Sequence, residues 1–458
     1  MNDKILKFKE EIKGKKVSVI GMGVSNIPAI KYLQKLGAYV IGRDKNEEVP
    51  AELKGLENVE FVLGKDYLKG LKESDYIFRS PGVKPSTPEI VKAVESGVIL
   101  TSEMETFIHL TDATVIAITG SDGKTTTTTL TSLFLKEAGK TVYVGGNIGT
   151  PLLDKVEQIN KEDYVVLELS SFQLMTMKEK IDRAAITNVA PNHLDYHKDY
   201  EEYIQAKSHV FKGQDENGIL VLNEDNEFTQ RYEKEAKGKI RKFSIEKRVE
   251  PGVYYSDGKV ISNIGGKDEE IMDAKDIKIV GMHNVANVCT ASSLVIDICG
   301  KEAIKKVAMT FGGVEHRMEL VREIDGVKWY NDSASSSPTR TISGLNAFKE
   351  NIILIAGGYD KNLEYEPLAK PIVNKVSTLI LIGQTAEKIY DVVKNESEKE
   401  NKKININMCD TLEQTIEIAK KSAKKGDIVL FSPASASFDM FKNFADRGNQ
   451  FKDLVNKI

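Results

Sequence analysis

The chain has 458 residues, of which 41% are hydrophobic and 29% charged, with a formal net charge of −4. This length predicts two or three domains with substantial apolar cores. The small negative charge gives no electrostatic reason to expect nucleic acid or an anionic membrane as a partner. The cysteines form no C-x-x-C pair and no apolar run approaches membrane-spanning length, so neither a disulfide framework nor a membrane protein is expected. We expect a cytoplasmic protein that acts as a monomer.

The first section, residues 1–102, begins with a strand that leads into Gly21-Met-Gly-Val-Ser-Asn26 and a helix. Asp44 ends the next strand, where a dinucleotide fold places the acid that binds the ribose. Asn26 replaces the third glycine of that fingerprint, so the fold is better supported than the cofactor. NAD(P) and a nucleotide-linked substrate with its diphosphate on the helix N-terminus are both compatible. Strands are predicted near residues 17–20, 39–41 and 76–78.

The second section, residues 103–313, contains a β-branched strand (114–118), the loop Gly120-Ser-Asp-Gly-Lys-Thr-Thr126 and a helix. The loop is shorter than the usual G-x-x-x-x-G-K-[ST], because Ile118 stands where the first glycine belongs. A strand, a glycine turn and a helix N-terminus still form an anion site, since unpaired N–H groups and the helix dipole meet there. Lys124 is then expected to reach the outer phosphates and the Thr125 hydroxyl to ligate Mg²⁺. The alternative is a glycine-rich turn with an exposed lysine.

Three further residues of this section are candidates for a functional site. Glu168 ends an apolar strand, where its carboxylate is well placed to hold Mg²⁺ or its water. His193 lies beside Asp195 in a polar loop after another strand, and by itself it is compatible with a structural histidine. Lys207 lies on a helix between apolar neighbours, and its spacing alone indicates a surface lysine whose stem covers apolar surface.

The third section, residues 314–458, repeats the alternation of apolar strands and helices. Strands are predicted near residues 352–356, 378–382 and 428–431. Together the sections predict an α/β protein with mainly parallel sheets. The expected domains are Rossmann-like at the N-terminus (1–102), a P-loop ATPase domain in the centre (103–313) and Rossmann-like at the C-terminus (314–458).

In this order the segments resemble the Mur ligase family of ATP-dependent amide-forming enzymes, and the resemblance covers essentially the whole chain. The short loop TGSDGKTT is that family's form of the phosphate site. The closing stretch SPASASFDMFKNFADRGNQF (432–451) is similar to the signature of the members that add D-glutamate. The other segments that carry the resemblance are GGNIG (145–149), ELSS (168–171), NHLD (192–195), AK (206–207), GMHNVAN (281–287), EHRME (315–319), YNDS (330–333) and GGYDK (357–361).

The resemblance implies an acyl-phosphate ligase that joins D-glutamate to UDP-N-acetylmuramoyl-L-alanine in peptidoglycan precursor synthesis. It implies ATP, two Mg²⁺ ions and a carbamate on Lys207, with Lys124, His193 and Lys207 catalytic. The implied metal ligands are Thr125, Glu168, His193 and carbamylated Lys207. The implied ATP-binding residues are Gly120, Ser121, Asp122, Gly123, Lys124, Thr125, Thr126, Asn284, Asn287, Arg317 and Asp332. The UDP-substrate residues are Val24, Ser25, Asp44, Ser80, Gly82, Asn147 and Gln173, and the D-glutamate residues are Lys361, Ser437, Phe438 and Phe444.

One departure concerns the amino-acid pocket. Many of these ligases read Asp-Ser-Lys-Ala-Thr-Asn, whereas this chain has Ala334 in place of the lysine thought to help hold D-glutamate. Arg340 is expected either to supply the missing charge or to be a simple helix-surface residue. Asp332 is expected to position the ATP ribose, with a helix N-cap as the alternative.

Other functions are also compatible with parts of the sequence. Another amide ligase of the same family would share the phosphate loop but not the closing stretch. An NAD(P)-dependent oxidoreductase would use Gly21 and Gly23 but leave the phosphate loop unexplained. A non-catalytic nucleotide-binding module would not need the metal and phosphate groups together.

Overall fold

The computed structural model describes residues 2–190, 196–361 and 363–458, and within them the chain forms three β-sheets flanked by helices. The chain folds into two compact units. The first comprises Met1–Asp276 and Val285–Met309, and the second comprises Ile277–Asn284 and Thr310–Ile458. In the described residues, no helix is long and apolar enough to cross a membrane.

The first sheet of the first unit has the parallel order β3-β2-β1-β4-β5, as in a Rossmann-type fold. All three predicted strands of this section are present. The strands are β1 (Lys16–Ile20), β2 (Tyr39–Asp44), β3 (Val59–Leu63), β4 (Tyr76–Arg79) and β5 (Ile99–Thr101). The helices are α1 (Asp3–Ile12), α2 (Asn26–Lys35), α3 (Pro88–Glu95) and α4 (Glu103–Leu110).

The central sheet of the first unit has the order β14-β13-β12-β11-β10-β9-β6-β8-β7. It is parallel from β7 to β12, and β12, β13 and β14 continue it as an antiparallel extension. The strands are β6 (Thr114–Thr119), β7 (Val142–Gly146), β8 (Tyr164–Glu168), β9 (Arg183–Ile186), β10 (Ile219–Asn223), β11 (Lys239–Ser244), β12 (Gly252–Ser256), β13 (Lys259–Ser262) and β14 (Glu269–Asp273). The helices are α5 (Lys124–Glu137), α6 (Ser171–Leu174), α7 (Tyr200–Lys212), α8 (Glu227–Gln230) and α9 (Met282–Thr310), of which Val285–Met309 belongs to the first unit.

One apolar core serves both sheets of the first unit. Phe8 and Val19 from the first section belong to the same buried cluster as Phe107, Leu152 and Val165 from the second. Burying these side chains together removes apolar area from water on both sides, which stabilises the two sections as one body. The carboxyl ends of both sheets therefore keep a fixed geometry within this unit.

The sheet of the second unit has the order β15-β16-β20-β17-β18-β19, parallel except for the β15–β16 pair. The predicted strands near 352–356, 378–382 and 428–431 are all present. The strands are β15 (Glu319–Ile324), β16 (Val327–Asn331), β17 (Ile352–Ala356), β18 (Val376–Ile382), β19 (Asn405–Cys409) and β20 (Ile428–Phe431). The helices are α10 (Pro338–Asn346), α11 (Glu366–Lys375), α12 (Ala386–Lys399), α13 (Leu412–Ser422) and α14 (Phe444–Asn456).

Candidate functional site

The predicted strand, glycine turn and helix form one continuous phosphate-type loop between β6 and α5. Gly120 and Gly123 have φ values of 148° and 77°, which residues with a Cβ rarely adopt. A Cβ on Gly123 would also lie 2.5 Å from Asn287 Oδ1. The first N–H groups of α5 have no partner inside the helix and point toward the loop, which makes this end of the helix an anion site.

Two lysine amines meet at this loop. Lys124 Nζ donates to the carbonyls of Gly120 and Ser121, each at 2.9 Å, and Lys207 Nζ donates to the same Gly120 carbonyl at 2.8 Å. Lys207 is only 1% exposed, and its Nζ lies 4.4 Å from the centre of the Tyr203 ring. The surface position that its spacing indicated is therefore wrong. The helix face that carries Lys207 packs onto the phosphate loop.

The Lys207 amine has an unusually low proton affinity. Burial lowers its pKa well below the ordinary lysine value, and repulsion from Lys124 lowers the pKa further, while Asp122 acts in the opposite direction. A larger share of the amine is neutral near neutral pH than on a surface lysine. A neutral amine is a nucleophile, so this environment favours covalent chemistry at Nζ.

Hydrogen bonds to the segment after β9 and to α7 hold the phosphate loop in place. Ser121 Oγ donates to Ala190 O at 2.9 Å and lies 2.8 Å from Tyr203 OH, and Thr187 Oγ1 donates to Asp122 O at 2.6 Å. Sequence reasoning did not assign Thr187 or Tyr203, although the motif around Thr187 follows a strand end. His193, predicted as a catalytic residue and a metal ligand, lies outside the described residues, as does its neighbour Asp195.

Glu168 ends β8 directly beside the strand that precedes the phosphate loop, with Ile118 as its partner in register. Its Oε1 accepts from Asn147 Nδ2 at 2.8 Å, whereas its buried Oε2 has no hydrogen-bond partner in the part of the chain that is described. An orphaned buried carboxylate oxygen fits a divalent cation. Among the described residues no three His, Cys, Asp or Glu side chains cluster into a protein-only metal site. Mg²⁺ is typically held by few protein ligands together with substrate phosphates. Glu168 and Thr125 could be those protein ligands here.

The predicted UDP-substrate residues lie at strand ends of both sheets in the first unit. Asp44 Oδ2 accepts from the Met22 N–H at 2.7 Å, so its carboxylate holds the glycine loop after β1. Val24 in that loop is 80% exposed, and the Ser80 N–H donates to Ile20 O at 2.9 Å. The carboxyl edge of the first sheet therefore carries five of the predicted residues, namely Val24, Ser25, Asp44, Ser80 and Gly82. Asn147 directly follows β7, and Gln173 lies in α6, the helix that follows β8.

The two asparagines predicted to bind ATP belong to different units. Asn287 Oδ1 accepts from Thr127 Oγ1 at 3.2 Å and so contacts α5 of the first unit. Asn284 belongs to the second unit, where its Nδ2 donates to Val280 O at 2.7 Å.

Arg317 lies on a strained turn of the second unit. Its neighbours His316 and Met318 have φ values of 63° and 46°, although neither is glycine. Such strain persists only where surrounding contacts over-determine it, and it is frequent at functional sites. Two hydrogen bonds fix the turn. Asn331 Nδ2 lies 2.9 Å from His316 Nδ1, and the His316 N–H donates to Glu319 Oε2 at 2.9 Å.

Asp332 is buried next to this turn. Its carboxylate accepts from Ser335 Oγ at 2.6 Å, from Ser432 Oγ at 2.8 Å and from the Met318 N–H at 3.2 Å. Burial raises the pKa of Asp332, and the two hydroxyl groups, the Met318 N–H and the charge of Arg317 oppose that rise. The helix N-cap alternative is wrong, because α10 begins at Pro338 with Ser337 before it. The expected ribose contact stays a prediction.

The predicted D-glutamate residues lie mainly in two paired loops of the second unit. A bridge between Tyr359 and Ala436 joins the loop after β17 to the loop after β20. Lys361 Nζ lies 5.7 Å from the centre of the Phe438 ring, which is 60% exposed, and Ser437 is buried beside it. Phe444, by contrast, lies edge-on to His316 at the start of α14, with 6.1 Å between the ring centres.

Arg447 is a structural centre of this pocket that sequence reasoning did not assign, although it stands in the closing signature. Its guanidinium donates to Ala436 O at 2.8 Å, Ser435 O at 3.1 Å, and Ser333 O at 2.8 Å, and its Nε donates to Ser333 Oγ at 3.0 Å. One buried side chain thus fixes the loop after β20 to the segment after β16. Arg340 Nη1 donates to Ala334 O at 3.3 Å, so its guanidinium reaches the position where the lysine is missing.

Known proteins match this chain along its length. Residues 15–102 match the Mur ligase MurD-like N-terminal domain, 118–295 the Mur ligase middle domain and 316–435 the Mur ligase glutamate ligase domain. A UDP-N-acetylmuramoylalanine–D-glutamate ligase of Acetivibrio thermocellus is 51% identical and one of Ruminiclostridium cellulolyticum 49% identical, each covering 100% of both chains. The structure of a MurF ligase from Thermotoga maritima in complex with ADP has the same fold, with a TM-score of 0.57, 18% identity and 100% coverage of both chains. The chain belongs to the Mur ligase family, among the UDP-N-acetylmuramoylalanine–D-glutamate ligases.

Proposed function

We propose that the protein is an ATP-dependent ligase that joins D-glutamate to UDP-N-acetylmuramoyl-L-alanine in peptidoglycan precursor synthesis. The observation that carries this proposal is the 51% identity, over both whole chains, to a protein that bears this activity in its name. The phosphate loop with two lysine amines supports the ATP-dependent part. The cytoplasmic location and the monomeric state stay predictions.

The reaction needs two anions to meet. The substrate carboxylate attacks the γ-phosphorus of ATP, so an acyl phosphate forms and ADP leaves. The D-glutamate amine then attacks the acyl carbon, and the tetrahedral intermediate collapses to an amide with loss of phosphate and a proton. Lys124 and the N-terminus of α5 supply positive charge where negative charge develops on the transferring phosphoryl group, which is the main demand of such a step.

Mg²⁺, when bound, supplies charge neutralisation and orients the phosphates. Glu168, through its unpartnered Oε2, and the Thr125 hydroxyl are the residues that would hold a first ion. The second ion would be held by His193 and by an anionic form of Lys207. Glu168, Thr125 and the carbamate would supply the oxygen ligands that Mg²⁺ prefers, and His193 would supply a nitrogen.

The anionic form of Lys207 is a carbamate. The neutral amine attacks CO₂, a nitrogen–carbon bond forms, and one amine proton leaves to solvent. Burial and the Lys124 charge support this step, because both favour the neutral amine. An unmodified ammonium at the same position would repel a cation.

The three sections take separate parts of the substrates in this proposal. Residues 1–102 bind the UDP half, residues 103–313 bind ATP, and residues 314–458 bind D-glutamate. Within the last section Lys361 faces a glutamate carboxylate, with Ser437, the Phe438 backbone and Phe444 completing the pocket. The pairing of the loops after β17 and β20 supports this grouping for Lys361, Ser437 and Phe438.

The test is phosphate release from ATP with UDP-N-acetylmuramoyl-L-alanine and a panel of amino acids. We expect turnover with D-glutamate, and background rates with L-alanine, with meso-diaminopimelate or without an amino acid. Equal turnover with another amino acid would overturn the specificity. Tighter calorimetric binding of NADH than of the UDP substrate would instead support an oxidoreductase.

The Lys124→Ala variant tests the phosphate loop directly. We expect loss of ATP-dependent turnover with the fold retained, because the substitution removes charge at the transferring phosphoryl group. Lys136→Ala is the matched control, since Lys136 is an exposed lysine on the same helix. A wild-type rate in Lys124→Ala would show that this loop is not the catalytic one.

A further inference from the structure

Arg79 is a buried cation that the reaction described above does not use. It is the last residue of β4, immediately before the loop of residues 80–83, and it is 1% exposed. Burial lowers its pKa, and the negative charge of Glu105 opposes that change. An arginine remains protonated even so. A buried guanidinium is costly where its donors lack partners. In the described residues Nη1 and Nη2 of Arg79 have hydrogen-bond acceptors and its buried Nε has none, so the partners of Nη1 and Nη2 identify its task.

The two ends of the guanidinium contact segments that follow strands of different sheets in the first unit. On one side Nη1 donates to carbonyls of the loop itself, at 2.8 Å to Val83 O, 3.3 Å to Ser80 O and 3.4 Å to Pro81 O. On the other side Nη2 donates to Phe172 O at 3.0 Å and to Thr176 Oγ1 at 3.4 Å. The first set belongs to the predicted UDP loop, and the second belongs to α6 and the turn after it.

A second contact joins the same loop to α6 through Tyr196, which also interacts with the Arg79 guanidinium. Tyr196 OH donates to Pro81 O at 2.8 Å, and the Tyr196 ring packs on Phe172 with 4.1 Å between ring centres. The Thr176 hydroxyl, which accepts from Arg79, donates in turn to the buried carboxylate of Glu105 at 3.0 Å. Thr176 therefore links the Arg79 guanidinium to a carboxylate. The loop is therefore held to α6 from two sides.

The segment at the other end of this link follows the predicted metal ligand Glu168. Helix α6 begins three residues after Glu168, and it carries Gln173, a predicted UDP-substrate residue. The substrate has its UDP at one end and its reacting carboxylate at the other. The distance between the loop of residues 80–83 and α6 thus sets where the carboxylate lies once the UDP is bound.

We infer that Arg79 is a positioning residue that, with Tyr196, clamps the UDP loop to α6 and so places the substrate carboxylate at the phosphoryl-transfer site. The inference rests on the proposed function. Arg79 donates to the two sides from two separate nitrogens, whereas a lysine would have to reach both sides from a single nitrogen. The clamp acts through position and does not touch the reacting atoms.

The experiment compares Arg79→Lys, Tyr196→Phe and the double variant with wild type. For Arg79→Lys we expect kcat/KM for UDP-N-acetylmuramoyl-L-alanine to fall roughly tenfold, the equivalent of about 1.4 kcal/mol. The KM for ATP and the calorimetric affinity for UDP alone should stay within about threefold, since neither ligand spans the clamp. Tyr196→Phe keeps the ring packing and should show a smaller loss in the same direction. The losses in the double variant should be less than additive, because both contacts act on one loop.

Arg241→Lys is the matched control. Arg241 also joins a backbone carbonyl, Ser293 O at 2.9 Å, to a second partner, Asp297, within the first unit. Its replacement should lower the melting temperature without changing kcat/KM for the UDP substrate. Wild-type kcat/KM in Arg79→Lys would overturn the clamp. Equal losses for UDP and for the full substrate would also overturn it, because Arg79 would then only shape the UDP loop.

Amide hydrogen exchange tests the clamp without any turnover. In Arg79→Lys, exchange should speed up together in residues 80–83 and 171–176, and it should stay unchanged there in Arg241→Lys. Wild-type turnover with the UDP substrate and D-glutamate separately tests the proposed function. An inactive wild type with coupled exchange would therefore refute the proposed function, whereas an active wild type with uncoupled exchange would refute the clamp.

Discussion

Replacing Lys207 by methionine should make the protein more stable while it abolishes turnover. The Lys207 amine is buried with a single described backbone acceptor, Gly120 O, and that carbonyl also accepts from Lys124. Methionine has a similar volume and leaves no orphaned acceptor. Exchanging buried charge for apolar side chains changes stability by about 0 to 4 kcal/mol in favour of the apolar form. The lost hydrogen bond offsets about 1 kcal/mol of this, so the middle of that range gives an expected net gain of about 1 kcal/mol at pH 7.

The pH dependence of this gain distinguishes a buried charge from ordinary packing. The folded-state pKa of Lys207 lies below its unfolded value of 10.5, so between the two the unfolded chain binds more protons. Wild-type stability therefore rises with pH in that window, by up to about 1.4 kcal/mol per pH unit. The methionine variant lacks this contribution. Its advantage over wild type should shrink as the pH rises toward 9.

The assay is guanidinium unfolding of both proteins at several pH values in buffers free of CO₂, which keep the amine unmodified. In the difference between the two curves of unfolding free energy against pH, the contributions of the titrating groups that both proteins share cancel. Lys212→Met, at an exposed position of the same helix, is the control and should give a difference that does not change with pH. A pH-independent gain for Lys207→Met, or a gain that grows with pH, would refute the reasoning.

Four other substitutions test separate parts of the structure. Gly123→Ala should lower the unfolding free energy by about 1–3 kcal/mol and weaken calorimetric ATP binding, because the new Cβ meets Asn287 in a left-handed conformation; unchanged values would contradict the loop geometry. Arg447→Lys should raise the KM for D-glutamate about tenfold with the KM for ATP unchanged, since the fork that fixes the glutamate loop is lost; equal rises in both would point to general unfolding. Arg340→Ala should raise the D-glutamate KM if its charge replaces the missing lysine, and a wild-type KM would identify a helix-surface arginine. Asp297→Asn should cost about 2 kcal/mol at pH 7, measured by denaturant unfolding. Burial raises the pKa of Asp297, but its two arginine partners outweigh burial and hold that pKa below 3.8. The stabilisation is therefore complete above 3.8, and the cost should shrink as the pH falls from 3.8 toward the lower folded-state pKa; a cost that stays constant would rule out the charge.

The sequence alone predicted the parts of the fold that depend on local pattern. The β-branched run before Gly120, the glycine turn and the helix after it are contiguous, so their order could be predicted without knowledge of the rest. The strand ends that carry Asp44 and Glu168 followed in the same way. Strand β3 and the antiparallel extension β12–β14 were not predicted, because short strands of mixed polarity give no clear periodicity.

Tertiary structure decided the environment of single side chains. The spacing around Lys207 fits a surface lysine, and only the packing of α7 onto the phosphate loop shows that its amine is buried beside Lys124. Arg79 and Arg447 likewise gain their roles from loops far away in the chain, which no local pattern reveals. A residue's type and periodicity determine which element it joins, whereas its burial, its pKa and its partners depend on segments that meet only after folding.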